Sequence, residues 1–440
     1  MATTKYSHAF LVGSYNGDLI INHNDWKSEL ISPNGNNRYK EDRGYNGICG
    51  LFYKAHIDAM LEADALVQKE RPDFLKDVHH YYAVVDEKNQ NVVFKAIKDG
   101  YDYKMKILKL HIFTFPLRIS LFAIEIDDSE NELNALTKGH FTLTRWAWEW
   151  DKNIIDEKEA LNSALQPLKN LMPENDLKNL ITDGNKLKLF QSIQYETEEP
   201  DDKLLYEIGT SSPIGCIDNY QDRYSPATDY WQQIVNANSV STFRNWKALA
   251  LMDSFTMLGS VGSFDIDDSN FLYFPLIYIR CVFEKTFCFS RNNAYREDKA
   301  DLKSLPIEIE KMEKYYFYDN ISYNFQPNLL YKAMAKGLGL NEERVELSKQ
   351  VKETTKKKRD EQKENEEKRF NNILAGVSIF AVISVIWDFC SIVKDASGID
   401  SNHNVPTFAQ FFIAIGFILI VLLWRQIYKR KDDENNKNIP

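Results

Sequence analysis

The chain has 440 residues, a formal net charge of −10 and 44% hydrophobic residues. That length can bury a sizeable core and suits two soluble sub-domains. The acidic balance argues against a general nucleic-acid binder, which needs a basic face.

From the N-terminus, residues 8–13 form a short apolar run of strand type, and residues 14–50, rich in Asn, Gly, Asp and Tyr, read as loops and turns. Residues 55–67 have helical periodicity, with Ile57, Met60, Leu61 and Leu66 broadly on one side. Residues 81–85 and 92–94 read as strands flanking a turn at 87–90. Residues 107–115 and 119–126 are the clearest strand pair, with Pro116 between them. Ser129 offers an N-cap to a following helix, with Glu132 at the capping-box position. Strand, strand, helix predicts an α+β (α/β-type) cytoplasmic domain over residues 1–150.

Residues 151–340 read as a second, helical or mixed domain. Residues 151–215 are expected to be mostly helical and acidic, with breaks at Pro173 and at 183–184. Residues 230–257 are expected to form another helical region ending at Gly259. Residues 271–289 are apolar and aromatic enough to raise a membrane span. Arg280, Glu284 and Lys285 interrupt them and Pro275 sits among them, so a buried core element is expected. Helices lead to Gly337 and Gly339, and Asn341 is placed to cap a new helix.

No breaker follows Glu342 until Lys394, which predicts one helix of roughly 50 residues, about 75–80 Å long. Its stalk portion is 341–372. Residues 352–369 contain no apolar side chain, and Glu353 with Lys357 and Glu364 with Lys368 are supportive i,i+4 pairs. A disordered charged linker is the alternative. Helix is preferred because the stretch runs without Gly or Pro into an apolar segment.

That segment, 373–393, has the length that spans a bilayer core, about 20 residues. A polar loop, 394–406, leads to a second apolar segment. This one, 407–424, reaches spanning length through 428 if Arg425 snorkels, and a basic tail, 429–440, follows. Residues 1–10 lack the apolar run of a signal peptide, so orientation is read from the hairpin. Lys368 and Arg369 precede the first span, and Arg425, Lys429, Arg430 and Lys431 follow or close the second. Both ends are therefore expected in the cytoplasm. The five cysteines, Cys49, Cys216, Cys281, Cys288 and Cys390, form no CxxC pair and read as buried reduced thiols.

Enzyme motifs are poor. Adjacent His79 and His80 do not converge on a metal if helical. Residues 265–270 lack the glycine and terminal glutamate of an EF-hand and read as a polar turn. Neither glycine pair, at 259 and 262 or at 337 and 339, is a phosphate loop, and no nucleophile–base signature is present. The sequence is read as a non-enzyme with no certain cofactor, a divalent cation being left open.

The layout resembles the CorA-like two-span transporters: an N-terminal cytoplasmic α/β domain, a helical part, a stalk helix running into the first span, a short external loop, a second span and a basic end. The likeness covers the whole chain in architecture and is strongest from Asn341 onward. Three phrases, Phe115-Pro-Leu-Arg-Ile-Ser-Leu-Phe-Ala-Ile-Glu125, Phe243-Arg-Asn-Trp-Lys-Ala-Leu-Ala-Leu-Met-Asp-Ser-Phe255 and Ile321-Ser-Tyr-Asn-Phe325, look like segments of CorA-like proteins encoded beside type III CRISPR systems. The Gly-Met-Asn that the family's magnesium transporters carry after the first span is absent. The place reads Phe389-Cys-Ser-Ile-Val-Lys-Asp-Ala-Ser-Gly398, which puts magnesium selectivity in doubt.

The resemblance implies a homo-oligomer, a pentamer in the family, with three or four subunits left open. It also implies a bacterial inner-membrane effector of antiviral defence that answers a nucleotide second messenger, such as an S-adenosylmethionine–AMP conjugate. Such a ligand needs cationic or amide donors and aromatic faces. Candidates are Arg118, Arg145, Arg244 and Arg291, with Trp146, Trp148, Trp150 and Trp246. The 244–253 stretch, read as a helix, places Asn245 and Met252 on one face and Trp246 and Asp253 on another. The alternative is that these aromatics are core.

A two-span chain encloses a pore only by self-association. Asn371, Ser378, Ser384, Asp388 and Ser391 are the pore-lining candidates, most of them within roughly a third of the circumference at a coiled-coil period. A carboxylate at Asp388 is expected to face a pore, a partner or the interface. Two other functions stay open: a divalent-cation transporter with an altered filter, and a membrane-tethered scaffold without a pore.

Overall fold

The computed structural model describes residues 4–16, 19, 21, 26–28, 73–95, 102–145, 158–171, 187–227, 229–263, 268–297, 299–301, 303–317, 319–396 and 416. The helix expected at 55–67, the side chains of Trp146, Trp148 and Trp150, the polar loop from 397 and the second span apart from Gly416 lie outside these residues. The chain divides into two units, residues 1–352 and 353–440.

The first unit is α+β and is built on one ten-stranded sheet. In chain order its strands are β1 (Thr4–Asn16), β2 (Lys27–Ser28), β3 (His79–Val84), β4 (Asn91–Lys95), β5 (Asp102–Phe115), β6 (Ile119–Asp127), β7 (Lys188–Tyr195), β8 (Ser239–Val240), β9 (Trp246–Ala250) and β10 (Ser254–Ser260). The spatial order is β2-β3-β5-β6-β1-β7-β10-β9-β8, with β4 pairing β5 off this path. Every pairing is antiparallel except β7 with β10.

The expected strands at 8–13, 81–85, 92–94, 107–115 and 119–126 are all present. Near its start β5 alternates strictly, with Tyr103, Met105 and Ile107 buried and lysines between them. That is the period-two signal of a half-covered strand. Strand β6 is buried along eight consecutive residues, because helices cover both faces of the sheet there.

Five of the helices are α1 (Leu133–Arg145), α2 (Lys158–Ala164), α3 (Gln166–Leu171), α4 (Asp202–Gly209) and α5 (Tyr230–Asn238). On one face α1 to α3 bring Leu143, Leu161 and Leu168 against Leu11, Ile124 and Ile126. On the same face Leu136 of α1 and Leu205 and Ile208 of α4 pack on Ile193, Leu249 and Leu258. The opposite face is covered by α6 (Asp268–Arg296), α7 (Leu305–Tyr315), α8 (Phe325–Gly337) and the first turns of α9 (Leu340–Ala396). Residues 276–283 and 287–288 of α6 are buried, and Phe283 stacks on Phe115 of the sheet at 4.2 Å. The expectation of a buried core element here holds. Gly337 lies against the Ala250 backbone, where a Cβ would come within 2.6 Å of the carbonyl carbon.

Several expectations are corrected. The sheet takes strands from both sides of residue 150, and β1 pairs with β7, so residues 1–150 and 151–340 are not separate bodies. Among its described residues the 151–215 stretch contains three helices but also β7, buried on both faces. The 230–257 stretch is helical only to Asn238 and then forms β8, β9 and most of β10. Its Ala, Leu and Met residues favour helix intrinsically, and burial on both sides removes the alternation that would mark strands. Ser129 is not a cap, since α1 begins at Leu133. Its hydroxyl instead accepts from the Ser7 amide at 2.9 Å and donates to the Asp127 carboxylate at 2.7 Å. Asn341 lies inside the first turn of α9, which starts one residue earlier after Gly339 at positive φ.

The second unit contains the remainder of α9. The helix runs unbroken through the charged 352–369 stretch and the first apolar segment, 57 residues in all. The disordered-linker alternative does not hold.

Candidate functional site

The described residues of the first unit form a cleft of about 260 Å³, lined by Phe141, Thr144, Leu189, Gly209, Thr210, Ser211, Leu251, Met252, Asp253 and Ser254. Four pieces of chain converge on it: the last turn of α1, the start of β7, the end of α4 and the β9–β10 turn. The α4 end is a Schellman motif. The Ser212 amide donates to the Glu207 carbonyl at 2.7 Å and the Ser211 amide to the Ile208 carbonyl at 3.0 Å. Ser211 takes the left-handed position at φ 54°, where glycine is usual. The buried Glu207 carboxylate accepts from the Gly215 and Ile217 amides at 2.9 and 3.1 Å and so fixes the loop behind the rim. Burial pushes its carboxyl above the ordinary range against these hydrogen bonds. Beside the cleft Lys188 Nζ donates to Asp253 Oδ1 at 2.9 Å, with Lys188 buried and Asp253 half-exposed.

The predicted ligand residues are not brought together. Register places Arg118, in the β5–β6 turn, and Asp253 at one end of the sheet, while Arg244, Asn245 and Trp246 lie at the other. The intervening strand β10 is seven residues long, about 20 Å or a little more. Asn245 and Met252 share no helical face, since the stretch is a hairpin. Trp246 is 2% exposed and belongs to the core, as its alternative reading held. Arg244 is exposed, and Arg291 is paired with Glu308 at 2.7 Å. Asp253 lines the cleft, and Arg145 follows Thr144 at its edge. Ser211 and the α4 end were not anticipated. Only the pairing of β7 with β10 and the packing of α4 carry these distant residues to the β9–β10 turn.

A second constellation surrounds the root of α9. The Glu284 carboxylate, 0% exposed, accepts from Arg280 Nε at 2.8 Å, from Tyr331 Oη at 3.1 Å and from Arg344 Nη2. Arg344 Nη2 also donates to Tyr331 Oη at 2.7 Å, and Arg280 Nη2 donates to the Tyr316 carbonyl at 2.5 Å. Burial opposes the Arg344 charge, but Glu284 and Tyr331 outweigh it and hold the guanidinium above its ordinary range. Next to it Glu343 pairs with Lys285 at 2.9 Å and accepts from Asn292 at 2.6 Å, and Glu346 pairs with Arg296 at 2.6 Å. Three α9 residues in four are thus held to α6 by charge.

A third runs across four strands. His80 and His111 ring nitrogens lie 3.0 Å apart, His111 is 2.8 Å from Glu125, and His8 is 3.2 Å from its other oxygen. All four side chains are buried. Burial pushes the Glu125 carboxyl up, but His111 and His8 more than reverse this and hold it well below the ordinary range. A carboxylate with a depressed folded pKa adds stability above its unfolded value, and this is lost as pH falls through the folded one. The melting temperature of the wild-type chain is therefore expected to fall below about pH 4, and less steeply in Glu125→Gln. Equal acid slopes would remove this role. Among the described residues no group of three or more His, Cys, Asp or Glu is placed to hold a metal ion. Cys216, Cys281 and Cys288 are buried free thiols, as expected.

The second unit holds the apolar part of α9. Within α9 lies the one stretch, among the described residues, long and apolar enough to cross a membrane. Most of its large side chains are exposed, from Ile373 and Phe380 at 65% and 75% to Trp387 at 71%, while Ile379 and Ile386 are half-buried. The pore-lining candidates Asn371, Ser378, Ser384, Asp388 and Ser391 are exposed too. Ser378 Oγ donates back to the Leu374 carbonyl at 2.8 Å, so the helix itself satisfies this hydroxyl. At about 100° per residue the five spread over about 160°, wider than a coiled-coil period makes them. Gly416 is buried, and a Cβ there would meet Ile386 at 3.2 Å. Ser384, Asp388 and Ser391 sit about 140–160° round the helix from Ile386, away from that contact. Comparison of the chain with family models, with curated proteins and with solved structures finds no match.

Proposed function

We propose that the chain is a homo-oligomeric, channel-like effector of the bacterial inner membrane, with both ends cytoplasmic, whose soluble unit answers a small nucleotide-type second messenger in type III CRISPR defence. The observation that carries this reading is α9. One unbroken helix starts among buried ion pairs and continues into an apolar run with most of its large side chains exposed. Exposed surface of that kind needs lipid or a partner. A second copy supplies the partner, and Ser384, Asp388 and Ser391, turned from the Ile386–Gly416 contact, then face it. A ligand opens such an assembly only by binding the open state more tightly.

The test is leakage of a small dye and of cations from vesicles carrying the full chain. Adenine nucleotides are added, an S-adenosylmethionine–AMP conjugate among them. Leakage should rise with the nucleotide, and Asp388→Ala should reduce cation flux. No nucleotide-dependent leakage at saturation overturns the proposal. The wide angular spread of the polar set favours a second reading, a tethered scaffold without a pore. Asp388 within the span favours a third, a divalent-cation transporter, which rescue of a magnesium-uptake mutant would support.

A further inference from the structure

We infer that the charged stretch of α9 is an interface between copies of this chain, in which a basic stripe on one helix meets an acidic stripe on its parallel neighbour. The inference rests on the homo-oligomer of the proposed function and names the surfaces that join it.

Spacing comes first. Lys356, Arg359 and Lys363 follow one another at steps of three and four residues, and Lys349 and Lys352 precede them at the same steps. Glu353, Asp360 and Glu367 recur every seven residues. On a helix the first three form one stripe and the second three another, about 70° round. A seven-residue period is the one that supercoiled helices share. The same period leads from Lys356 and Lys363 to Ser384 and Ser391, which face a second copy in the proposed function.

Pairing comes second. All six side chains of the two stripes are exposed. None of the six has an ion-pair partner among the described residues. Lys356 with Asp360 and Lys363 with Glu367 stand at i,i+4 spacing and stay open, as does Glu353 with Lys357. Lysine ahead of its acid is the weaker order on a helix, so the first two pairs compete poorly with a partner chain. Beside them Glu364 and Lys368, in the stronger order, close at 2.8 Å.

Complementarity comes third and decides the partner. Residues 353–367 carry five cations and six carboxylates, so a polyanion meets as much repulsion as attraction there. A second copy carries both stripes and complements both. With both ends of every chain on one side of the membrane, neighbouring helices run parallel, and rotation about a shared axis keeps each residue at one height. Arg359 then stands about 1.5 Å along the axis from the partner's Asp360. Lys356 and Lys363 stand about 4.5 Å from the partner's Glu353 and the partner's Asp360, offsets that long basic side chains bridge. Charge pairs between helices set which ones associate and in which orientation.

Dissociation of the full-chain oligomer in detergent, followed by light scattering on dilution, tests this. Lys356→Glu, Arg359→Glu and Lys363→Glu together turn the basic stripe acidic. Glu353→Lys, Asp360→Lys and Glu367→Lys together turn the acidic stripe basic. In low salt each triple variant should dissociate at a concentration about tenfold higher than wild type or more. The difference should shrink in about 1 M salt. The six-residue exchange that combines them restores complementarity and should restore wild-type dissociation, an outcome that a damaged helix cannot give. Wild-type dissociation by either triple variant, or no recovery in the exchange, overturns the interface. So does a short labelled RNA bound by wild type and lost in the first triple variant while assembly stays unchanged, which gives the basic stripe to a polyanion. If both triple variants assemble and leak like wild type, the stripe pairing fails and the channel stands. If the exchange restores assembly and no nucleotide causes leakage, the channel fails and the pairing stands.

Discussion

Glu284→Gln is expected to destabilise the first unit by about 3–5 kcal/mol, because it leaves two buried guanidinium groups without their shared anion. Arg280 is 3% exposed and the Arg344 side chain 13% exposed, so water can replace little of the lost pairing. The effect has a built-in control. Replacing Arg280, Glu284 and Arg344 together by Met, Leu and Met removes the charges and their desolvation, and such apolar replacements are often neutral or stabilising. Denaturant unfolding in detergent separates the two. A single Glu284→Gln change within about 1 kcal/mol of wild type would show that the three donors do not depend on that carboxylate. The position matters for more than stability. Glu284 joins α6 to α8 and to the root of α9, so the triple variant asks whether charge or mere packing at that root is required for the leakage response.

Phe380→Lys combined with Ile383→Lys is expected to release the chain from membranes. A lysine at the centre of a span opposes insertion by roughly 2.5–3.5 kcal/mol, so two oppose it by about 5–7 kcal/mol. Both positions are exposed, Phe380 at 75% and Ile383 at 40%, so the changes remove no packing from the first unit. Membrane fractions washed with carbonate provide the measurement. The wild-type chain should stay with lipid and the variant should leave it. Retention of the variant would mean that the first apolar segment is not what holds the chain to the bilayer.

The sequence was most legible where one physical signal acted alone. The alternation of Tyr103, Met105 and Ile107 with lysines gives a half-covered strand without further context. The absence of Gly from 340 to 375 and of Pro from 340 to 396 gives one helix, and charged residues on an apolar run give a buried α6 in place of a span. Legibility failed where both sides of a segment are covered. The residues 246–257 carry no period that separates strand from helix, and the hairpin exists because β10 finds β7, some sixty residues earlier, as a parallel neighbour. The expected ligand residues are not brought together, since Arg118 and Arg244 are set at opposite ends of the sheet by register.

Local chemistry by itself therefore determined the long helix, its apolar run and the strand character of 107–126, because backbone breakers, hydropathy and side-chain period act between near neighbours. Tertiary structure alone decided that a single sheet joins the two halves of the first unit, that Glu284 gathers Tyr331 and Arg344 beside Arg280, and that Ser211 meets Asp253 across a cleft. Apart from the i,i+4 pair Arg280–Glu284, each of those joins residues more than ten positions apart, and their pairing is set by which surfaces exclude water together, a property of the folded chain that no short window of sequence contains.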